Sequence, residues 1–140
     1  IQNMYPEEMI APMRAELANS GYTETKTAHD VNSAINADGT TFVVVNSVCG
    51  CAAGSARPAA MAVAKSAVKP TRMITVFAGN DVEAVNEARG MMQPFPPSSP
   101  SMALFKNGEL VHMVERHHIE GRTAEMIAGN LLSAFEEHCK

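Results

Sequence analysis

TTFVVVNSVCGC, Thr40 to Cys51, runs β-branched and apolar residues straight into two cysteines one residue apart. From Thr40 to Ser47 both alternating faces are apolar or β-branched. That is the pattern of a strand covered on both sides, so the stretch predicts the central strand of a sheet. Beyond it, CAAGSARPAAMAVAKSAV, from Cys51 to Val68, has high helix propensity, weakened in its first half by Gly54 and Pro58, and a kink is expected near Pro58. RMITVFAG, Arg72 to Gly79, reads as the next strand. Strand, helix and strand form a βαβ unit, which predicts parallel strands and a right-handed crossover.

The flanking segments extend the alternation. After Pro6, placed for a first helical position, Met9, Ile10, Met13 and Leu17 recur at helical spacing until Ser20-Gly21. Thr27-Ala28-His29-Asp30 resembles a weak capping box opening a short helix that ends in the turn Asn36 to Gly39. Asn80 or Asp81 is expected to cap a helix through Val82, Val85 and Ala88. QPFPPSSP, Gln93 to Pro100, holds four prolines in eight residues and predicts an ordered loop. SMALF and ELVHMVE then flank Lys106-Asn107-Gly108, an Asn-Gly hairpin signal that makes those strands antiparallel. A final amphipathic helix is predicted from about Thr123, with Met126, Ile127, Leu131, Ala134 and Phe135 on its apolar face. No repeat, low-complexity segment or linker interrupts the chain, which reads as one domain, 1–140, of the α/β class.

Composition narrows the function. With 140 residues, 46% of them hydrophobic, the chain can bury a core of its own. A formal charge of −4 with scattered basic residues supplies no field for phosphates, so nucleic acid and anionic membrane are not expected partners. No apolar run reaches the roughly 20 residues that cross a bilayer, and IQNMYPEEM lacks the features of an export signal; the expected location is cytoplasmic. Three cysteines, an odd number, then point to reactive or metal-binding thiols over a disulfide framework.

Cys49 falls where the central strand ends and a helix begins, the place where ligands gather in open α/β folds. Unpaired N–H groups and the helix dipole stabilise a thiolate there, and the thiolate is the attacking species. Gly50 adds no side chain and leaves Cys49 open to a bulky disulfide. Cys51 is the only thiol near enough in sequence to attack a mixed disulfide formed on Cys49. On a regular helix, side chains two apart diverge, whereas a disulfide brings Cβ atoms to about 3.8 Å; closing this pair is expected to distort the backbone and leave it easily reduced. Zinc or an iron–sulfur cluster is the rival reading, with His29, His112, His117, His118 and His138 as further ligands, but zinc sites usually leave at least two residues between cysteines. His117 and His118 are expected on an exposed turn, Cys139 as an exposed tail thiol, and the methionines as core filler.

The segment PSSPSMALFKNGELV, Pro97 to Val111, resembles the thioredoxin segment in which a cis-proline opposite the redox cysteines precedes a hairpin. The resemblance makes Pro100 that residue. A cis turn there leaves the backbone groups of Ser99 free to pair with an extended substrate. Together, VVVNSVCGCAAGSARPA, TVFAGND, PPSSPSMALFKNGELVH and ERHHIEGR resemble the bacilliredoxin family over essentially the whole chain. The resemblance implies a thioredoxin-like fold, a central mixed β-sheet with helices on both faces, and no cofactor. It implies removal of the small thiol bacillithiol, as substrate, from bacillithiolated client proteins. In this family the first cysteine of CGC, here Cys49, is the nucleophile and the second, Cys51, resolves. The chain departs from ordinary thioredoxins in having no tryptophan and no acidic residue in Thr40–Ser47, so the buried carboxylate that assists proton transfer is missing. A disulfide isomerase, a general oxidoreductase and a purely structural module are the alternatives.

Overall fold

The computed structural model describes residues 3–140. Its sheet has the order β1-β3-β2-β4-β5, formed by β1 (Thr23–Glu24), β2 (Thr40–Asn46), β3 (Arg72–Phe77), β4 (Ser101–Lys106) and β5 (Glu109–Val114). The valine-rich stretch is the central strand, and every residue of β2 is buried. It pairs parallel with β3 and antiparallel with β4, so the sheet is mixed. The Asn-Gly hairpin joins β4 and β5 as expected. Asn107 and Gly108 both take positive φ, 51° and 86°, the conformation that a two-residue hairpin turn needs and that Asn and Gly tolerate best. The turn is tied to the opposite loop, where Gly39 N–H donates to Asn107 Oδ1 and Asn107 N–H to Gly39 O, both at 2.8 Å. β1 had no counterpart in the sequence reading; two residues pairing parallel with β3 carry no legible periodicity.

Helices cover both faces because β2 is apolar on both. Phe42 and Val44 face a core shared with α3 (Arg57–Val63) and α6 (Ala124–His138), where Phe135 meets Phe42 edge-on at 5.3 Å. Val43 and Val45 face the opposite core, filled by Val31 and Ile35 of α2 (Ala28–Asn36) and by Ala84, Val85 and Ala88 of α4 (Val82–Met91). Thr27 caps α2, its hydroxyl accepting from Asp30 N–H, and Thr123 caps α6 in the same way through Met126 N–H.

Several local expectations are corrected. In α1 (Glu7–Ala18) the buried stripe is Ile10, Arg14 and Leu17, while Met9 is exposed. Arg14 takes a core-facing position because it reaches Asp81, donating from Nη1 and Nη2 at 2.9 and 2.8 Å. Asp81 stands at the N-cap of α4 but makes no side-chain cap; its carboxylate serves Arg14 and the N–H of Phe77 instead. Asn80 instead ties down the N-terminal segment through the backbone of Tyr5. Met126 of α6 points into solvent. The helix after the cysteines is irregular just before Pro58. A π-helical turn, Ala52–Ala56, precedes α3, with Arg57 N–H reaching back to Ala52 O, and Pro58, with no N–H to donate, sits in the first turn of α3 where none is needed. Helix ends at Val63, short of the predicted Val68. His117 and His118 belong to a short helix, α5 (Arg116–Ile119), in which His118 Nδ1 accepts from Glu115 N–H. Cys139 is half-buried against the core at the end of α6, and burial raises its pKa.

Candidate active site

The end of β2 builds the site. Asn46, its last residue, is buried, and three hydrogen bonds hold its side chain: Oδ1 accepts from Ser47 N–H and from Arg57 Nη1, and Nδ2 donates to Met13 O. Arg57, 3% exposed, also donates to Ser47 O at 2.8 Å. The end of a strand without any acidic residue thus holds a neutral amide clamped by a buried guanidinium. The clamp fixes Ser47, whose Oγ accepts from Cys49 N–H at 3.1 Å.

Cys49 lies in a bend just before the helical residues Gly50 and Cys51. Because Cys49 lies outside the helix and Cys51 within its first turn, the side chains converge where regular helical spacing would separate them. The two thiols are free and half-buried, with Sγ atoms 2.8 Å apart. Their acidities are driven in opposite directions. The Cys49 pKa is lowered, first by the hydrogen bond from the Cys51 thiol, against an opposing effect of burial; the N–H groups of Cys51 and Ala52 and the charge of Arg116 lower it further. Cys51 is pushed up to about 11, first by burial, then by donating to Cys49 and lying next to its charge. The neighbouring thiol thus outweighs the helix N-terminus that the sequence suggested as the source of the thiolate.

Gly50 is exposed, and a Cβ built there meets no atom within 4 Å. Neither space nor backbone conformation demands glycine at this position, so the open approach to Cys49 is its visible consequence. The Ser99–Pro100 peptide is cis, and Ser99 lines the same groove as Cys49 while Pro100 is buried. Gln93–Pro94 is cis as well. One expectation about Ser99 is corrected: its carbonyl is not free but accepts from Arg116 Nη1 at 3.2 Å. Its N–H has no partner among the described residues. Arg116 went unnoticed in the sequence because it lies far along the chain from Cys49; only the hairpin β4–β5 returns it to the site. Its backbone N–H also bonds Ser98 Oγ, so it both holds the proline loop and places a positive charge beside the thiols.

The histidines do not gather at the cysteines. Among the described residues, the one group of three side chains with metal-ligating atoms close together is Glu115, His117 and His118, and it contains neither Cys49 nor Cys51. No helix of the described residues is long and apolar enough to cross a membrane.

The same architecture occurs in mitochondrial thioredoxin 3 of Saccharomyces cerevisiae, which superposes with a TM-score of 0.60 at 13% identity, covering 87% of this chain and 98% of that one. A thioredoxin fold carrying a proton-sharing cysteine pair where its central strand meets a helix defines a thiol–disulfide oxidoreductase. Residues 5–139 match the protein family described as Disulphide isomerase. The chain is 54% identical to the bacilliredoxin of Cytophaga hutchinsonii over 134 residues, 96% of this chain and 99% of that one. It is 51% identical to a bacilliredoxin of Bacillus licheniformis, covering 96% and 95%. The chain belongs to the bacilliredoxin family.

Proposed function

We propose that this oxidoreductase removes bacillithiol from client proteins that carry it as a mixed disulfide, in the cytoplasm, as one domain acting with no cofactor beyond the thiol substrate itself. The observation that carries the reading is the opposite drive on the two thiols: Cys49 is held toward thiolate by the proton that Cys51 retains. Similarity to bacilliredoxins supports the choice of small thiol.

Cys49 thiolate attacks the bacillithiol sulfur; the Cys49–bacillithiol S–S bond forms, the bond to the client cysteine breaks, and the client leaves as thiolate and takes a proton from water. Gly50 keeps the client side open, and the Ser99 N–H beside Pro100 offers one backbone donor to the bound segment. Cys51 then loses its proton and attacks the Cys49 sulfur, expelling bacillithiol as thiolate and leaving a Cys49–Cys51 disulfide. Once Cys49 is in a disulfide its charge no longer opposes ionisation of Cys51, but burial, the larger cause, persists. A second small thiol attacking Cys49 is therefore the competing route.

The family description, Disulphide isomerase, favours one second reading, in which the same thiolate shuffles protein disulfides. Parallel assays with a bacillithiolated client and a scrambled-disulfide protein separate them. Bacillithiol release at least about tenfold faster than reshuffling, per enzyme, is expected; the reverse order would establish the isomerase.

A further inference from the structure

A groove of about 360 Å³ opens on one side of Cys49. Its wall includes Tyr5, Gly79, Arg89, Ser99 and Arg116, and no acidic side chain lines it. Both guanidinium groups retain unused donors. Arg116 gives Nε to Glu120 and Nη1 to the Ser99 carbonyl, and Nη2 has no partner among the described residues. Arg89 reaches Ser98 O through Nη2 at 3.5 Å, while its Nε is buried without a partner. Burying a cation without a full set of acceptors is costly, and a carboxylate entering the groove would offset that cost by pairing with the guanidinium charge. The far wall is fixed: Met4 N–H donates to Gly79 O at 2.9 Å, and a Cβ at Gly79 would come within 2.9 Å of the Tyr5 ring.

We infer that this groove seats the small-thiol half of the mixed disulfide, that it takes thiols bearing carboxylate groups, and that Arg89 and Arg116 receive those carboxylates. The inference rests on the reading of Cys49 as the exchange thiol. It gives a structural reason for the direction of the proposed exchange. With the small thiol anchored between the arginines and the client lying over the open Gly50 side, the sulfur presented to Cys49 is that of the small thiol, so the client cysteine is the leaving group. Exchange releases the client free instead of trapping it on the enzyme.

The test uses the full chain and one client protein loaded at a single cysteine with 3-mercaptopropionate (anionic), 2-mercaptoethanol (neutral) or cysteamine (cationic). The expected order of kcat/KM is anionic, neutral, cationic, with at least about tenfold between the ends, the effect of one charge-assisted hydrogen bond. The order should shrink in 0.5 M salt, because this groove is partly open to solvent. Arg89→Gln should flatten it, chiefly through KM, and Arg89→Lys should retain most of it. Equal rates for the three disulfides in the native chain, or an order that Arg89→Gln leaves intact, would overturn the inference while leaving Cys49 as the exchange thiol. If Arg89→Gln also loses the neutral disulfide, the order in the native chain and its response to salt decide. Should none of the three react, the reading of Cys49 falls and the inference with it.

Discussion

Replacing Cys51 by alanine removes the thiol that donates to the Cys49 sulfur. The hydrogen bond stabilises the charged form of Cys49, so its loss must raise the Cys49 pKa and lower the thiolate fraction at neutral pH. In a pH series of iodoacetamide alkylation, the inflection of Cys49 should move upward in Cys51→Ala and by less in Cys51→Ser, whose hydroxyl can still donate. A downward shift would mean that the Cys51 thiol opposes the thiolate. Cys51 itself should alkylate only at strongly alkaline pH, in keeping with a pKa of about 11. At this scale the sequence was informative about which atoms react and silent about what tunes them. Cys49 and Cys51 announce themselves by proximity and position. Arg116 and Arg57 act on the site from positions 67 and 8 residues away, and no local pattern marks an arginine that folding will bring back.

At the scale of the element, Asp81 separates local from tertiary logic. An aspartate ahead of Val82 has the signature of an N-cap, and losing a cap costs about 1 kcal/mol. The carboxylate instead pairs with Arg14, which is 8% exposed. Asp81→Ala removes two charge-assisted bonds from Arg14 and the acceptor of the Phe77 N–H, while Glu7 and Glu24 still pair with Arg14, so the loss should be about 2–3 kcal/mol. Urea unfolding of Asp81→Ala should therefore show the larger loss; a change of about 1 kcal/mol would return Asp81 to the role of a cap. The elements that were legible are those with strong local signals, such as the two-faced valine strand, the Asn-Gly turn and the threonine caps. The two-residue β1 and the four-residue α5 are too short to show a period. The π-helical turn Ala52–Ala56, just ahead of Pro58, carries no residue pattern that propensity registers. Met9 and Met126 were placed by spacing alone, and the packing of their neighbours decided otherwise.

At the scale of the whole molecule, β2 links stability to chemistry: the strand that supplies both cores also ends at Asn46, Ser47 and the thiols. Phe42 is fully buried and packs edge-on against Phe135, which ties the sheet to the C-terminal helix. Phe42→Ala should cost about 3–5 kcal/mol in chemical denaturation. Because the hydrogen bonds of Asn46 and Arg57 at the Cys49 bend do not involve Phe42, the alkylation inflection of the folded variant should stay where it is in the native chain. A shifted inflection would show that the core contact itself sets the thiol geometry. The parallel βαβ unit and the antiparallel hairpin followed from strand patterning and the Asn-Gly turn, and the mixed sheet with two helical layers and the proline loop facing the cysteines from the family resemblance, whereas the arrival of α5 at the same place became visible only in three dimensions.

The central claim is that Cys49 takes the small thiol from a client and Cys51 clears it. The most direct measurement is the intact mass of reduced native chain and of Cys51→Ala after mixing with a bacillithiolated client, with the modified residue then mapped by peptide mass. The account predicts one bacillithiol on Cys49 in Cys51→Ala, little in the native chain, and a client returned with a free cysteine. Bacillithiol remaining on the client in both mixtures, or arriving on Cys139, would contradict it.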